Sequence, residues 1–288
     1  MPHVEPDQPR YMSERVIAPT MGLQRLELRQ LWESRELLGF LVWRDVLVRY
    51  KQTYLGVAWA VVQPLITVVV FTVIFGHFAQ LPSEGAPYAV MTLAALLPWQ
   101  FFSNALTESS GSVVSSASMI TKVYFPRLVL PAGAVLSGLP DMGIGMLMLL
   151  GLMRWYGVPL HPAFLLLPLF AGLACLAALA AGLWLSALGV RYRDVRYLVP
   201  FVTRVGLYVT PVAFSTSWVT GRLPWAASTV YGLNPLVGIV DGFRWCVLGP
   251  AFAPEWRFLL GGTVVTLLLL VSGAYFFRAV ERRFADVI

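Results

Sequence analysis

Charged residues are scarce in this sequence of 288 residues, because Asp, Glu, Lys and Arg together make up only 12% of it. Soluble domains contain about 25% charged residues, so a chain with half that amount cannot cover a water-facing surface. Disordered chains are poor in aromatic residues, whereas this chain contains 13%, so the composition also excludes a disordered chain. With 58% hydrophobic residues and a mean hydropathy of +0.71, the composition predicts a polytopic membrane protein.

Lysine and the residues of common catalytic motifs are also rare. The two lysines, Lys51 and Lys122, lie in no GxxxxGK[ST] motif, so the sequence has no P-loop for ATP. Cys175 and Cys246 form no CxxC pair, three histidines suggest no metal site, and the sequence has no HExxH, DxD or GxSxG motif. We therefore expect neither catalytic residues nor a metal or cofactor on this chain. The net charge of +6 could indicate nucleic acid, but in a membrane protein the distribution of charge matters more, and we expect no nucleic-acid partner.

Long uncharged runs predict six transmembrane helices, since a helix needs about 20 apolar residues to cross the bilayer core. The predicted spans are residues 57–79, 88–106, 128–153, 163–189, 198–214 and 258–277. Residues 218–256 contain Asp241 and Arg244 and are broken by Pro235. This stretch predicts short re-entrant helices on the periplasmic side, buried in protein because lipid cannot satisfy their ends.

Lysine and arginine are unevenly divided between the two sides of this topology. Residues 1–56, 107–127, 190–204 and 278–288 together contain 17 of the 21. Cytoplasmic loops of membrane proteins carry an excess of these residues. We therefore expect a multi-pass protein of the inner membrane with both termini in the cytoplasm.

The N-terminal part divides into two segments before the transmembrane domain at 55–288. Residues 1–22 contain four prolines and predict a flexible leader. Residues 23–54 predict an amphipathic helix at the cytoplasmic face of the membrane. Its apolar residues at helical spacing are Leu37, Leu38, Leu41, Val42 and Val46. The alternative is a helix whose apolar face packs on a partner.

Asp141 is the one carboxyl predicted halfway along a span. An intramembrane acid is a functional candidate by default. The alternative interpretation, which we favour slightly, is a protonated aspartate that bonds a neighbouring helix.

Small residues recur at every fourth position of the fourth span, at Ala174, Ala178, Gly182 and Ser186. This spacing places them on one helix face and lets another helix approach closely. We favour packing within the chain over a dimer interface.

Several blocks between about residue 36 and the C-terminus combine aromatic, charged and small residues in a distinctive order. They are Trp43-Arg44-Asp45, residues 49–56 (RYKQTYLG), Trp59, residues 63–65 (QPL), residues 97–105 (LPWQFFSNA), residues 120–130, residues 183–187 (LWLSA), residues 190–197 (VRYRDVRY), residues 233–236 (LNPL) and residues 242–245 (GFRW). Together these blocks resemble the permease subunit of type-2 ABC exporters for polysaccharides, of the O-antigen, capsular or teichoic-acid type.

The resemblance implies a homodimer with two copies of a separate ATPase, which carries the ATP and Mg. It also implies that the substrate is a polysaccharide linked to a polyprenyl diphosphate. Membrane lipids are expected to surround the dimer. Carried over to this sequence, the surfaces that couple to the ATPase are Trp43, Arg44, Asp45, Arg49, Tyr50, Lys51, Ile120, Thr121, Lys122, Tyr124, Phe125, Pro126 and Arg127.

Aromatic side chains in the spans are candidates for a channel lining, since their faces stack on sugar rings. The candidates are Trp59, Phe71, Trp99, Phe102, Trp184 and Tyr208. We also expect Arg44, Arg49 and Lys51 either to attract the diphosphate or to dock the ATPase. Two alternative functions stay open: a type-2 ABC exporter of a drug or small lipid, and a membrane-embedded enzyme that modifies glycans.

Overall fold

The computed structural model describes residues 28–51, 56–281 and 284, and within these ranges the regular secondary structure is helical without strands. The all-α prediction is thereby confirmed. The predicted leader 1–22 lies outside the described residues, as do residues 23–27 and 52–54 of the predicted interface helix.

Thirteen α-helices occupy the described ranges. They are α1 (Leu28–Glu33), α2 (Arg35–Lys51), α3 (Gly56–Phe71), α4 (Tyr88–Ser115), α5 (Ala117–Ile120), α6 (Val129–Leu136), α7 (Leu139–Tyr156), α8 (Leu167–Arg191), α9 (Val195–Val209), α10 (Thr216–Thr220), α11 (Trp225–Gly232), α12 (Pro235–Leu248) and α13 (Trp256–Glu281). A π-helical stretch, Thr72–Phe78, extends α3, and short 3₁₀ helices at Pro162–Leu166 and Pro250–Phe252 precede α8 and follow α12.

Five helical segments of the described chain are long and apolar enough to cross a membrane. They are Ala58–Phe78, Tyr88–Ser115, Val129–Tyr156, Pro162–Arg191 and Trp256–Glu281. They correspond to five of the six predicted spans, and the chain is an integral membrane protein. The predicted fifth span, 198–214, corresponds to α9, whose 15 residues extend only about 22 Å, against a hydrocarbon core of about 30 Å. The sixth crossing therefore stays a prediction.

The helix that contains the second span is longer than the predicted span. We expected the span to end at residue 106 and a cytoplasmic loop to begin at 107, whereas the helix α4 continues to Ser115. Its 28 residues extend about 42 Å, more than the hydrocarbon core of about 30 Å, so the last turns of α4 can lie outside the membrane and the predicted end of the span stays a prediction. The polar residues that suggested a loop are accommodated within the helix. Ser112 donates a hydrogen bond from its hydroxyl to the Ser109 carbonyl at 2.8 Å, and Ser115 does the same to Ser112.

The core of the bundle is the contact between α4 and α8. The small residues Ala174, Ala178, Gly182 and Ser186 of α8 are buried there. A Cβ atom on Gly182 would lie 2.3 Å from the Ser109 hydroxyl oxygen and 2.9 Å from the Ser109 Cβ, so a larger residue would force the Ser109 side chain or the two helices to shift. The expected role of the small residues in packing within the chain is confirmed.

The segment between α9 and α13 is built around one buried arginine. Arg244 of α12 is 1% exposed and donates hydrogen bonds to the carbonyls of Phe214 and Val212, both at 2.9 Å, and of Met91 at 3.3 Å. Thr216 donates to Asp241 at 2.7 Å. Both charged side chains are thus buried in protein, as expected, while the re-entrant path through the membrane stays a prediction.

Candidate functional site

The predicted interface helix consists of α1 and α2, separated only by Ser34. Hydrogen bonds from Ser34 N to Gln30 O and from Leu38 N to Ser34 O, both 3.0 Å, carry the helical pattern across this residue. The predicted apolar residues face protein: Leu41 is 2% exposed, and its Cβ lies 3.6 Å from a Cβ built on Gly133 of α6. The helix therefore packs along α6 with the face that we expected to lie on lipid.

A second apolar face of α2 was missed in the sequence. It consists of Phe40, Trp43, Leu47 and Val48, which share one side of the helix and are all exposed. The helix α2 therefore has two apolar sides, the predicted one that contains Leu41 and this exposed one. The sequence pattern alone does not show which of these two sides packs on the bundle.

Asp141 joins α7 to the C-terminal end of α2. Arg49 donates hydrogen bonds from Nη1 to Asp141 Oδ2 and, at 3.2 Å, to the Ser137 carbonyl, while the Tyr50 hydroxyl donates to Asp141 Oδ1. Asp141 lies in the first turn of α7, where the helix N-terminus favours a negative charge. Burial, with the bond to Asp141 as a second cause, raises the pKa of Tyr50 to about 12.

This arrangement adds detail to two expectations. The helical segment Val129–Tyr156, which corresponds to the third span, is interrupted at Ser137 and Gly138 between α6 and α7, so Asp141 lies near the middle of the segment and in the first turn of α7. Its bond to a neighbouring helix is observed, and the partner is Arg49, with which the carboxyl forms an ion pair. Arg49 and Tyr50 both bond to this interior carboxylate. They are therefore not in the exposed part of the predicted coupling surface.

A polar pocket of about 380 Å³ lies beside this ion pair, between α2, α3, α4 and α7. Its polar lining includes Gln63 of α3 and the side chains of Gln100, Asn104 and Glu108 of α4. The four-residue spacing places the three α4 side chains on one helix face. Trp59, 56% exposed, adds an aromatic surface to the pocket.

The polar lining continues toward the end of α4 that leads into the predicted cytoplasmic loop. A smaller pocket of about 120 Å³ is lined by Arg44 and Asp45 of α2 and by Glu108, Ser112 and Ser116. Arg44 pairs with Asp45 at 2.7 Å, and Glu108 contributes to both pockets. The sequence spacing of Gln100, Asn104 and Glu108 could have revealed this strip, but the individual residues were not selected as site candidates.

The predicted first cytoplasmic loop presents an exposed tip held by buried anchors. Thr121, Lys122, Val123 and Tyr124 are exposed, and Tyr124 reaches 90%. On either side, Ile120 and Phe125 are buried in the cluster that also contains Leu41. The tip is thus available to a partner, whereas its two flanks fix its position on the bundle.

The last residues of this loop are bound to the C-terminal helix. Arg127 donates from Nη1 to the Glu281 carbonyl and from its backbone N–H to Glu281 Oε1 at 3.1 Å. Its guanidinium also lies 5.9 Å from the Phe284 ring centre. Pro126 is half-buried. Arg127 therefore anchors the loop and does not extend from its tip.

The candidate channel aromatics fall into two groups. Phe71 and Trp99 are buried in the chain, and Trp184 stacks on Phe276 with ring centres 4.5 Å apart. These three rings serve packing within the chain and offer little open surface to a substrate. Trp59 and Tyr208 are exposed, and for these two a channel role stays a prediction.

Trp99 and Phe102 line a second pocket of about 370 Å³, between α4, α8, α9, α12 and α13. Phe102 is half-buried, and the tip of the Trp99 ring would be 2.6 Å from a Cβ on Gly206. The lining is predominantly apolar, in contrast to the pocket beside Arg49. Among the described residues, no group of three or more His, Cys, Asp or Glu side chains is arranged to hold a metal ion.

Comparison with known proteins places this architecture among membrane transporters. Residues 36–248 match the family model described as ABC-2 type transporter. The chain is 26% identical over 267 residues to the O-antigen export system permease protein RfbA of Myxococcus xanthus, covering 91% of this chain and 98% of that protein. It is 25% identical over 256 residues to RfbA of Klebsiella pneumoniae, covering 88% and 95%, and 23% identical over 241 residues to the polysialic acid transport protein KpsM of Escherichia coli, covering 83% and 91%.

Proposed function

The chain belongs to the ABC-2 type transporter family, and we propose that it is the permease subunit of an exporter that carries a polysaccharide across the bacterial inner membrane. The observation that carries this proposal is the similarity, over nearly the whole chain, to permeases named for O-antigen and polysialic acid transport. The multi-pass helical fold is the type of structure that such a role requires. A transporter subunit also agrees with a sequence that carries no catalytic motif.

The energy for export comes from a separate ATPase in this proposal. The lack of a P-loop in the sequence supports ATP hydrolysis on another subunit. Two ATPase copies would bind the exposed loop tip at 121–124 together with the exposed α2 residues Trp43 and Arg44. The anchors Ile120, Phe125 and Arg127 would transmit a push on the tip to α6 and α13, because they pack there directly.

A second copy of the chain completes the channel. The first candidate span is the least covered by its own chain, since 17% of the residues in its most apolar window are buried against 78% for α4. The exposed face of α9, with Phe201 and Tyr208, is similarly uncovered. Two such chains would enclose a path between these helices, with membrane lipids around the remaining apolar surface and both termini in the cytoplasm.

We further propose that the polymer is presented on a polyprenyl diphosphate. Of the three cations first considered for this group, Arg49 is engaged by Asp141 and Arg44 by Asp45. Lys51 is exposed at the end of α2, so it is the cation best placed to meet a diphosphate at the membrane surface.

The experiment is co-purification of the tagged chain from native membranes in mild detergent, with quantitative mass spectrometry of the proteins recovered. We expect one ATPase subunit in a one-to-one ratio with the chain, together with ATP hydrolysis by the complex. Recovery of the chain without a nucleotide-binding subunit, reproducibly in several detergents, would overturn the proposal and favour the glycan-modifying enzyme.

A further inference from the structure

The pocket between α2, α3, α4 and α7 contains polar groups that the coupling role leaves unused. Within residues 28–51, 56–281 and 284, the side chains of Gln63, Gln100, Asn104 and Glu108 have no hydrogen-bond partner. Gln100 is near the middle of the 28-residue helix α4. Polar side chains on a spanning helix are costly, and they generally face a water-filled cavity or a substrate path.

The charge of the pocket argues against an anion as its ligand. Arg49 is the only cation in the described lining, and it is paired with Asp141. Glu108 adds a second carboxylate to the same lining. A phosphate group binds where cations or backbone N–H groups are in excess, and in this lining the acidic side chains outnumber the basic one.

The remaining groups suit a neutral ligand that is rich in hydroxyl groups. Each amide of Gln63, Gln100 and Asn104 both donates and accepts hydrogen bonds, and Glu108 accepts them. Trp59 offers an exposed ring for stacking on the apolar face of a pyranose. The volume of about 380 Å³ lies within the range of about 300–1,000 Å³ that is usual for small-ligand pockets. Gln100 and Glu108 are about 12 Å apart along the helix, so more than one sugar ring can reach the polar strip.

We propose that this pocket is a binding subsite for uncharged sugar residues of the exported polysaccharide. Trp59 stacks on a ring, and the amides of Gln63, Gln100 and Asn104 bind its hydroxyl groups. The inference rests on the proposed export function and adds to it a site on this chain for the glycan, separate from any site for the diphosphate.

The test uses the full chain purified with its ATPase and two probes. The first probe is the surface polysaccharide of the producing cells, released from its lipid by mild acid so that it carries no diphosphate. The second probe is inorganic pyrophosphate. Saturation-transfer NMR detects contact of sugar protons with the protein, and ³¹P line broadening detects bound pyrophosphate.

The variants are Trp59→Ala, Trp59→Phe and Gln100→Leu, with Trp155→Ala as the matched control. Trp155 is an exposed tryptophan at the end of α7, 84% accessible and outside the pocket lining. Recovery of the ATPase with each variant at the wild-type ratio shows that the variant is folded. The Phe variant keeps an aromatic face at position 59 and is the second measurement should the Ala variant fail to assemble.

With the wild-type complex we expect a saturation-transfer signal on the sugar protons. This signal should be about fivefold lower with Trp59→Ala and with Gln100→Leu, because each variant loses one contact of ordinary strength with the sugar. Trp155→Ala should match the wild type, and Trp59→Phe should retain most of the signal. Equal signals in the wild type and Gln100→Leu would overturn the inference, and so would pyrophosphate broadening that Gln100→Leu abolishes.

Failure of the subsite and failure of the proposed function are distinguishable. If deleting the gene removes the polysaccharide from the cell surface while the wild-type complex does not saturate its sugar protons, export stands and the subsite is wrong. If the deletion leaves the surface polysaccharide unchanged, both the proposed function and the subsite fail.

Discussion

Asp141 and Arg49 are 92 positions apart in the chain, yet the structure brings their charges together at the junction of α2 and α7. A carboxylate near a membrane-spanning segment is costly alone, and the guanidinium offsets this cost. Tyr50 occupies the second carboxylate oxygen, so both oxygens of Asp141 are bonded. Asp141 therefore fastens α2 to the bundle.

Replacing Asp141 with Asn tests this role. We expect Asp141→Asn to lower the free energy of unfolding by about 1–3 kcal/mol, because the bond from Arg49 to this carboxylate loses its charge in a partly buried site. The measurement is the thermal unfolding midpoint of the purified chain in detergent, with Asp194→Asn as the control, because Asp194 is exposed between α8 and α9. The double variant Arg49→Gln, Asp141→Asn should be less destabilised than the sum of the two single variants. Additive effects would show that the two side chains are not coupled.

The contact of α12 with α13 illustrates packing at the scale of elements. A Cβ atom on Gly238 would lie 2.7 Å from the Leu259 Cα, and one on Gly262 would lie 2.9 Å from the Pro235 Cα. In both cases the obstacle is the opposing backbone, which cannot move aside as the end of a side chain can. Two glycines, one on each helix, thus set the distance between α12 and α13.

Gly238→Ala should consequently destabilise the protein. We expect a loss of about 1–3 kcal/mol in the free energy of unfolding, because the backbones of α12 and α13 must separate. Gly172→Ala in α8 is the matched control, since nothing lies within 4 Å of its added Cβ and alanine favours the helix. Thermal unfolding of both variants in the same detergent gives the comparison. A midpoint for Gly238→Ala at or above that of Gly172→Ala would refute the close-packing argument.

The exposed loop tip at 121–124, between α5 and α6, is the part of the proposed ATPase contact that a single substitution can test. Tyr124→Ala should reduce the amount of ATPase recovered with the chain about tenfold, because an exposed aromatic at the centre of a contact is a typical hot spot. Tyr156→Ala at the end of α7, on the predicted outer side, should leave the recovery unchanged. If both variants retained the ATPase at the wild-type level, the docking surface would have to be sought elsewhere.

The helices of this chain were predictable from the sequence to different degrees. Uncharged runs identified the five long segments, since nothing except a membrane helix explains so many consecutive apolar residues. The C-terminal third of α4 was not predicted as helix, because polar residues such as Thr107 and Glu108 are typical of loops. In the structure these two residues line the polar pocket. The partner of Asp141 could not be predicted, because no local pattern connects positions 49 and 141.

At the scale of the whole molecule, three proposed roles fall mainly on different parts of the chain. In the proposals above, the exposed loop tip at 121–124 and the exposed side of α2 contact the ATPase, the polar pocket beside Trp59 binds sugar residues, and the uncovered faces of the first span and α9 meet a second copy. Under these proposals, one chain can contact the ATPase, the substrate and a second copy at the same time.

A dimer makes a prediction about cross-linking. Cysteine introduced at Ile66, which is 55% exposed on α3, should form a disulfide between two copies in native membranes if the paired chains meet along this helix. Cysteine introduced at Leu147, which is 70% exposed on α7, is the control and should remain monomeric on a non-reducing gel. The two free cysteines of the chain are first replaced by Cys175→Ala and Cys246→Ala, so that only the introduced cysteine can form a disulfide. The same dimer yield from both positions would speak against a specific interface at α3.

The most direct measurement of the central claim is the location of the polysaccharide in cells depleted of this protein. Surface and cytoplasmic polymer are quantified separately after depletion, with re-expression of the wild-type chain as the control. The account predicts that surface polymer falls and the same polymer accumulates in the cytoplasm, and that re-expression reverses both changes. Unchanged surface polymer, or loss of polymer from both compartments with altered sugar composition, would contradict the claim that this chain is the export permease.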